Sequence, residues 1–525
     1  MSQSVSRRRF LGDSLLGITA AASAAYAASA TTAAAQAPAA PVAANDRLGV
    51  VVIGAGGQAQ SHINNYRGDP RCVILYVVDP DTHATRMSDA NMDEIAATQG
   101  GIRPQRIADM RRAFDDPAVD LVSSVTQNHW HGLSSLWAVQ AGKHVYVEKP
   151  GNHNVHEGWA LEAASKKYNR IVQIGTQMRS MSANIELMRF LHAGGIGEVN
   201  FARGICYRRR RSIGALGNFP IPLTVDYDLW SGPAPIRSIT RRQFHYDWHW
   251  QRLYGNGDLG NQGSHQTDIA RWALGLERLP QAVISYGGRL GYDIEMNDPN
   301  FVDAGDVANT CVSVYDYGDK CIVFETLNLE TQPRRLPVSA NSDGTQPDGT
   351  LVGVIVHGSS GYAIQGPRET GQTYDLCRAY DLEGNMIREF RGGGSHFRNF
   401  IDAVVAGDPS RATTSAKDGT LSAAISHFGN ISYYLGEEQK ASPAEIKAAL
   451  RGIRSLDNND ATVDYVVDYL QRNRVDINRT PMSIGPLLRF DLATNRFTGS
   501  NAAGANEMLT REYRAPYIVP KPEDV

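Results

Sequence analysis

From Leu48 onward, short apolar runs alternate with stretches whose apolar positions recur at helical spacing. The run LGVVVIG is followed by a helical stretch after Gln58 and then by CVILYVVD, which ends at Asp79. A helix over 109–114, a strand in VDLVSSVT, a helix over 131–141, the strand HVYVEKP, a helix over 155–168 and the strand IVQIG continue the alternation. Apolar strand runs separated by helices of about 10 to 15 residues predict a parallel, doubly wound sheet, buried on both faces. Residues 46–177 are expected to form this Rossmann-type domain.

After a helix around 185–192 the pattern changes to longer strand runs: EVNFARGICY, QAVISYGGRL, ANTCVSVYDY, KCIVFETLNL and LVGVIVHG. Their polar, glycine-containing joints predict a large open, mostly antiparallel sheet in a second α/β domain over 178–445, with helices over 263–274 and 397–406 on one face. Residues 446–525 mix polar turns with short apolar patches, and REYRAPYIVP reads as an ordered arm packed on the body. The fold class expected is α/β throughout, without internal repeats.

Residues 6–12 read SRRRFLG and lead into an Ala-rich, modestly apolar stretch with small-x-small sites at 28–30 and 35–37. This resembles a twin-arginine export signal with Arg7 and Arg8 as the pair, and makes 1–45 a signal and linker. Asp13 and the many Ala and Thr residues make the run too weak to span a bilayer. The resemblance implies an exported, periplasmic or extracytoplasmic protein that uses the twin-arginine machinery and keeps no stable membrane insertion after cleavage. That route carries folded proteins, so any cofactor is expected to travel with the chain, tightly bound.

A net charge of -3 gives no global positive field, so neither nucleic acid nor an anionic membrane surface is an expected partner. The five cysteines lie far apart, form no CxxC pair and are odd in number. Buried free thiols are expected, with no structural zinc and no disulfide framework.

The first strand runs into Gly54-Ala55-Gly56-Gly57-Gln58-Ala59, a GxGxxA sequence placed where a helix starts. Gly54 permits the tight turn, Gly56 lets backbone amides approach a pyrophosphate, and Ala59 lets the helix pack closely on the strand. Asp79 ends the second strand, where a carboxylate accepts bonds from the adenine ribose hydroxyls and repels a 2′-phosphate. NAD is therefore expected in preference to NADP.

Glu148-Lys149-Pro150 ends the fifth strand after Ala141-Gly142-Lys143-His144-Val145, and Thr126-Gln127-Asn128-His129-Trp130-His131 lies upstream. With GTQMRS at 175–180 and GDLGNQGSHQTDIARW at 257–272, these segments resemble the Gfo/Idh/MocA oxidoreductase family across nearly the whole mature chain. The resemblance implies a cis bond before Pro150, which turns Lys149 toward the ligand. It also implies a sheet domain whose open face mediates homo-oligomers. Alcohol oxidation needs a poised acid/base pair beside the carbinol, and Lys149 with His265 supplies it. Asn261 stands where dehydrogenase members commonly carry Asp, and an amide orients a hydroxyl without taking its proton. Asp268 is expected to support its helix rather than to act chemically.

The cofactor is expected to meet Gly54, Gly56, Gly57, Gln58, Ala59, Asp79, Thr126, Asn128, His131, Glu148, Lys149 and Gln177. The substrate is expected to meet Arg179, Tyr207, Trp248, His249, Asn261 and His265, with Lys149, His265 and Asn261 catalytic. Aromatic residues within His245-Tyr246-Asp247-Trp248-His249-Trp250 suit a sugar ring, and no carboxylate pattern completes a metal site around His245 and His249. Arg208-Arg209-Arg210-Arg211 suits a substrate carboxylate or phosphate, and equally a solvated loop or inter-subunit ion pairs. His153 and His156 read as pocket rim or surface.

The function expected is NAD-dependent hydride transfer at a secondary hydroxyl or ketone of a sugar, cyclitol or glycoside. One alternative is redox-neutral glycoside cleavage through transient oxidation and elimination. A further alternative is a non-catalytic NAD-binding protein.

Overall fold

The computed structural model describes residues 47–329, 351–366 and 374–525; the export-signal segment lies outside them. A six-stranded parallel sheet comprises β1 (Leu48–Ile53), β2 (Cys72–Val78), β3 (Gln105–Ile107), β4 (Val119–Ser124), β5 (His144–Glu148) and β6 (Val172–Gly175). Its spatial order is β3-β2-β1-β4-β5-β6, the doubly wound order in which a ligand crevice opens beyond the carboxyl ends of β1 and β4. The strands are apolar on both faces because helices cover both: Val50 and Val52 face one core, Val51 and Ile53 the other. Asn154 starts the helix Val155–Lys167, its side chain accepting from the Glu157 amide.

The second sheet has twelve strands among the described residues. It holds β7 (Val199–Tyr207), β8 (Ala282–Gly288), β9 (Thr310–Asp316), β10 (Cys321–Leu327), β11 (Leu351–Gly358), β12 (Gly361–Gln365), β13 (Leu376–Asp381) and β14 (Met386–Arg391). The short strands β15 (Lys440–Ala441), β16 (Met482–Ile484), β17 (Leu488–Asp491) and β18 (Arg496–Thr498) complete it. Pairing is antiparallel except between β7 and β10.

Three expectations need correction. The helix His396–Ala406 packs on the Rossmann sheet, not on the large one: Phe397 stacks on Tyr146 with ring centroids 4.3 Å apart. The large sheet instead rests on Gly263–Ala273 and on Ala416–Leu435, a helix absent from the sequence reading, whose Thr420 hydroxyl also bonds Gly158 of the Rossmann domain. The third concerns 446–525, which is more than an arm. Helices Pro443–Leu450 and Asn459–Arg472 cover much of the other face of the large sheet, and β16 to β18 join it. That face is not free over the covered strands to serve as an oligomer interface.

From the terminal segment, Tyr517, Val519 and Val525 enter the Rossmann core. All five cysteines are buried and free. No helix among the described residues is long and apolar enough to cross a membrane.

Candidate active site

A cavity of about 780 Å³ opens where the carboxyl ends of β1, β2, β4 and β5 face the second domain. That volume is within the range of small-molecule and cofactor sites. At one end lies the glycine turn. Gly54 has φ +92°, and a Cβ there would meet the Val125 carbonyl oxygen at 2.6 Å, so the turn excludes side chains. A Cβ on Gly56 or Gly57 would meet nothing within 4 Å, because both border the cavity at the start of the helix Ala59–Arg67. Ala59, expected among the residues that meet the cofactor, does not border the cavity: it is buried against the strands, where its small side chain lets the helix pack closely.

Asp79 lines the cavity at the end of β2. One carboxylate oxygen accepts from the Ala55 amide at 2.7 Å and the other from the Asp81 amide at 2.9 Å. Burial raises its pKa, opposed by those two amides. Asp81 in turn pairs with His245 at 3.0 Å, tying the aromatic segment of the second domain to the Rossmann domain.

Lys149 follows β5 through a cis Lys149–Pro150 bond. Its Nζ donates to the Asn261 side-chain oxygen at 2.5 Å and to the Asn261 carbonyl at 3.0 Å. Since an ammonium has three donors, one remains for a ligand. Burial lowers Lys149 below the ordinary lysine pKa; Arg210 and Arg208 act in the same direction, and Glu148 and Asp258 oppose it.

Glu148 is buried beside it, with its Oε1 3.2 Å from His62 Nε2 and accepting from Gln177 at 2.9 Å. Burial alone would raise Glu148, but His62 and Lys149 outweigh it and hold the carboxyl at about 2. His62 is itself held by Ser123 at 2.8 Å. Sequence reasoning missed this support, because a histidine inside a helix carries no motif.

His265 lies in Gly263–Ala273, just past the short helix Gly257–Asn261, and borders the same space. Burial, and then the Lys149 charge, push its pKa down to about 3. Its Nδ1 is buried without a partner, as are Asn128 Oδ1, His131 Nδ1 and Gln262 Oε1, all on cavity-lining residues. Buried polar atoms rarely stay unpaired, so these call for ligand atoms. Open glycine backbone, a helix start, an acid at the end of β2 and these four atoms fit a dinucleotide at one end and a polar substrate at the other.

Thr126, Gln58 and Gln177 also border the cavity, as do Trp248 and His249, whose rings stack 3.7 Å apart. Two expected substrate residues do not. Arg179 is buried and gives its guanidinium to Asp268 through contacts of 2.8 to 3.1 Å. Tyr207 is fully buried and donates to Glu325 at 2.5 Å within the large sheet. Neither residue borders the cavity. His153 and His156 anchor the terminal segment instead of forming a rim: His153 lies 3.3 Å from Arg511, and the His156 amide donates to the Leu509 carbonyl. Asp268 does not border the cavity and accepts from both Arg179 and Ser422. Among the described residues no group of three or more His, Cys, Asp or Glu is placed to hold a metal ion.

Comparison with known proteins follows the two-domain division. Residues 48–176 match the NAD-binding Rossmann fold of the Gfo/Idh/MocA oxidoreductase family, and residues 211–286 match its C-terminal alpha/beta domain. A levoglucosan dehydrogenase of Pseudarthrobacter phenanthrenivorans is 25% identical over 240 residues, which is 45% of this chain and 54% of the relative. A glycosyl hydrolase family 109 protein of Saccharopolyspora erythraea is 30% identical over 167 residues, 31% of this chain and 35% of the relative. The chain thus matches about half or less of these relatives' lengths. A solved levoglucosan dehydrogenase, in complex with NADH and L-sorbose, aligns with a TM-score of 0.50 at 18% identity, covering 73% of this chain and 95% of that one. Residues 48–176 and 211–286, which border one cavity, are thus similar to the two domains of the Gfo/Idh/MocA family of oxidoreductases.

Proposed function

We propose that this protein transfers hydride at a secondary hydroxyl or ketone of a sugar, cyclitol or glycoside, using NAD that stays tightly bound. The observation that carries this reading is Lys149, anchored on Asn261 and sharing one cavity with His265 and the glycine turn. When bound there, the nicotinamide would supply the hydride acceptor and donor. The levoglucosan dehydrogenase relative supports a carbohydrate substrate.

The chain's own residues account for the rest. Asn261 fixes the Lys149 ammonium so that its free N–H can bond the reacting oxygen and stabilise negative charge there. Neutral His265 accepts the hydroxyl proton during oxidation and returns it during reduction. Glu148 remains ionised and opposes the lowering of the Lys149 pKa by burial. Asp79 favours NAD by offering carboxylate oxygens where NADP carries a phosphate. With the segment that resembles a twin-arginine signal, we place the protein outside the cytoplasm, loaded with cofactor before export.

The test is an absorbance spectrum of the untreated protein, before and after a panel of sugars and glycosides, without added cofactor. A reduced-nicotinamide band near roughly 340 nm that grows with one substrate class is the expected result. No dinucleotide in an acid extract would sink the tight-binding claim, and a bound cofactor silent to every sugar would sink the redox claim.

The glycosyl hydrolase family 109 relative favours a second reading, in which the same hydride step is reversed after a glycosidic bond has been eliminated. Aryl glycosides separate the two readings: phenol release without accumulation of reduced cofactor identifies cleavage.

A further inference from the structure

The run of four arginines after β7 is not a uniform surface patch. Arg210 turns inward and is bound by Asp258 through contacts of 2.7 and 2.8 Å, with its guanidinium over the Trp250 ring. Arg211 is exposed, and Arg209 is half-buried. Arg208 differs from all three: it lines the cavity, yet among the described residues it makes no ion pair or hydrogen bond.

Its place within the cavity is the substrate end. Arg208 directly follows Tyr207, the last residue of β7, and its charge is felt at Lys149, Asp258 and the cavity-lining Tyr374. The other charges at that end are matched. Asp258 is held by Arg210, and Glu148 faces Lys149 and His62. Asn261 is neutral. Arg208 is thus left as one surplus positive charge beside the Lys149–His265 pair.

We propose that Arg208 selects an acidic carbohydrate, one whose carboxylate it grips while Lys149 and His265 hold a ring or chain hydroxyl. This rests on the hydride-transfer reading above and narrows its substrate to uronic or aldonic acids and their glycosides. A guanidinium fork matches a planar carboxylate with two parallel N–H···O bonds. A single surplus cation matches a singly charged acid and leaves the second charge of a phosphate ester unmet. Trp248, stacked on His249, supplies an apolar wall for the sugar ring.

The experiment uses the cofactor-loaded full chain. Binding of glucuronate, galacturonate, mannuronate and gluconate is followed by quenching of reduced-cofactor fluorescence, each beside glucose, galactose or mannose. Turnover of the same compounds is followed by absorbance. At least one acid should bind roughly 10- to 100-fold more tightly than its neutral counterpart, the range expected of a charge-assisted pair. Arg208→Gln should remove most of that preference, raising KM for the acid more than it lowers kcat. Arg208→Lys should keep part of it, because the charge remains and the fork is lost. Dinucleotide content and near-ultraviolet circular dichroism verify that each variant has folded.

The proposal is overturned if no acid outbinds its neutral partner on the wild-type protein, or if the preference survives Arg208→Gln. Its failure is separable from that of the hydride reading. Neutral sugars oxidised without any acid preference would end this proposal alone. Arg208-dependent binding of an acid without any cofactor redox change would support it and end the hydride reading.

Discussion

Lys149 Nζ lies 2.5 Å from Asn261 Oδ1, so a cation and a neutral amide occupy a place where a carboxylate would form an ion pair. The amide steers the ammonium without neutralising it, and burial therefore lowers the Lys149 pKa with less opposition. Asn261→Asp should reverse this. A carboxylate at hydrogen-bond distance favours the charged form, so the ammonium would persist to higher pH. The alkaline limb of kcat/KM, set by loss of that proton, should move up by about one unit or more. An unmoved limb would show that Lys149 ionisation does not govern it.

His265 gives the acid side. Its pKa is pushed down to about 3, chiefly by burial, so it is neutral and able to accept a proton throughout the usual histidine range. A depressed base loses function only as pH falls through its own pKa. Because kcat/KM reports the free enzyme, the profile between about pH 8 and 5 should show no histidine limb near 6.5. His265→Gln should lower kcat roughly 10²- to 10⁴-fold while leaving the bound dinucleotide in place. A limb centred near 6.5 in the wild type would refute the assignment.

Asp79 both lines the cavity at the end of β2 and holds the Ala55 amide at 2.7 Å. Asp79→Ser should therefore act twice. Removing the carboxylate loosens the glycine turn and takes an acceptor from the ribose, so NAD affinity should fall about 10-fold or more. It also removes the charge that repels a 2′-phosphate, so the ratio of NADP to NAD affinity should rise. Titration of both cofactors into stripped protein measures this. A ratio unchanged by the substitution would remove Asp79 from cofactor discrimination.

The legible parts of this molecule are those whose chemistry is local in sequence. The glycine turn, Asp79 and the Glu148–Lys149–Pro150 run each announce themselves within a few residues, and the cavity brings them together. Arg179 and Tyr207 read in sequence as substrate contacts because their partners, Asp268 and Glu325, stand 89 and 118 residues away. An arginine in a promising segment gives no sign that a distant carboxylate has already claimed it. The helix His396–Ala406 shows the same limit for packing, since an amphipathic stripe tells that a face is buried but not against which sheet. Ala416–Leu435 is buried on nearly every side between the two domains and is rich in Gly, Ala and Ser, so it carried no stripe at all. In the sequence Arg208 is only one member of a basic run. Its separation from Arg210 required the position of Asp258, 48 residues beyond Arg210.

The Arg179–Asp268 pair provides a test of that correction. Both side chains are buried, the guanidinium lies over Trp272, and Ser422 completes the carboxylate's bonds. Arg179→Met leaves Asp268 short of its principal partner in the core, which should destabilise the fold by roughly 3–5 kcal/mol, read as a lower denaturant midpoint. Replacing both partners, as in Arg179→Met with Asp268→Leu, should recover much of that loss, since apolar substitutes for a buried pair are often neutral. A substrate-binding arginine would behave otherwise. Its loss would raise KM, and the second substitution would not restore it. Stability that recovers in the double variant, with KM changed by less than about twofold, would assign Arg179 to the core; a persistent KM defect would return it to the substrate.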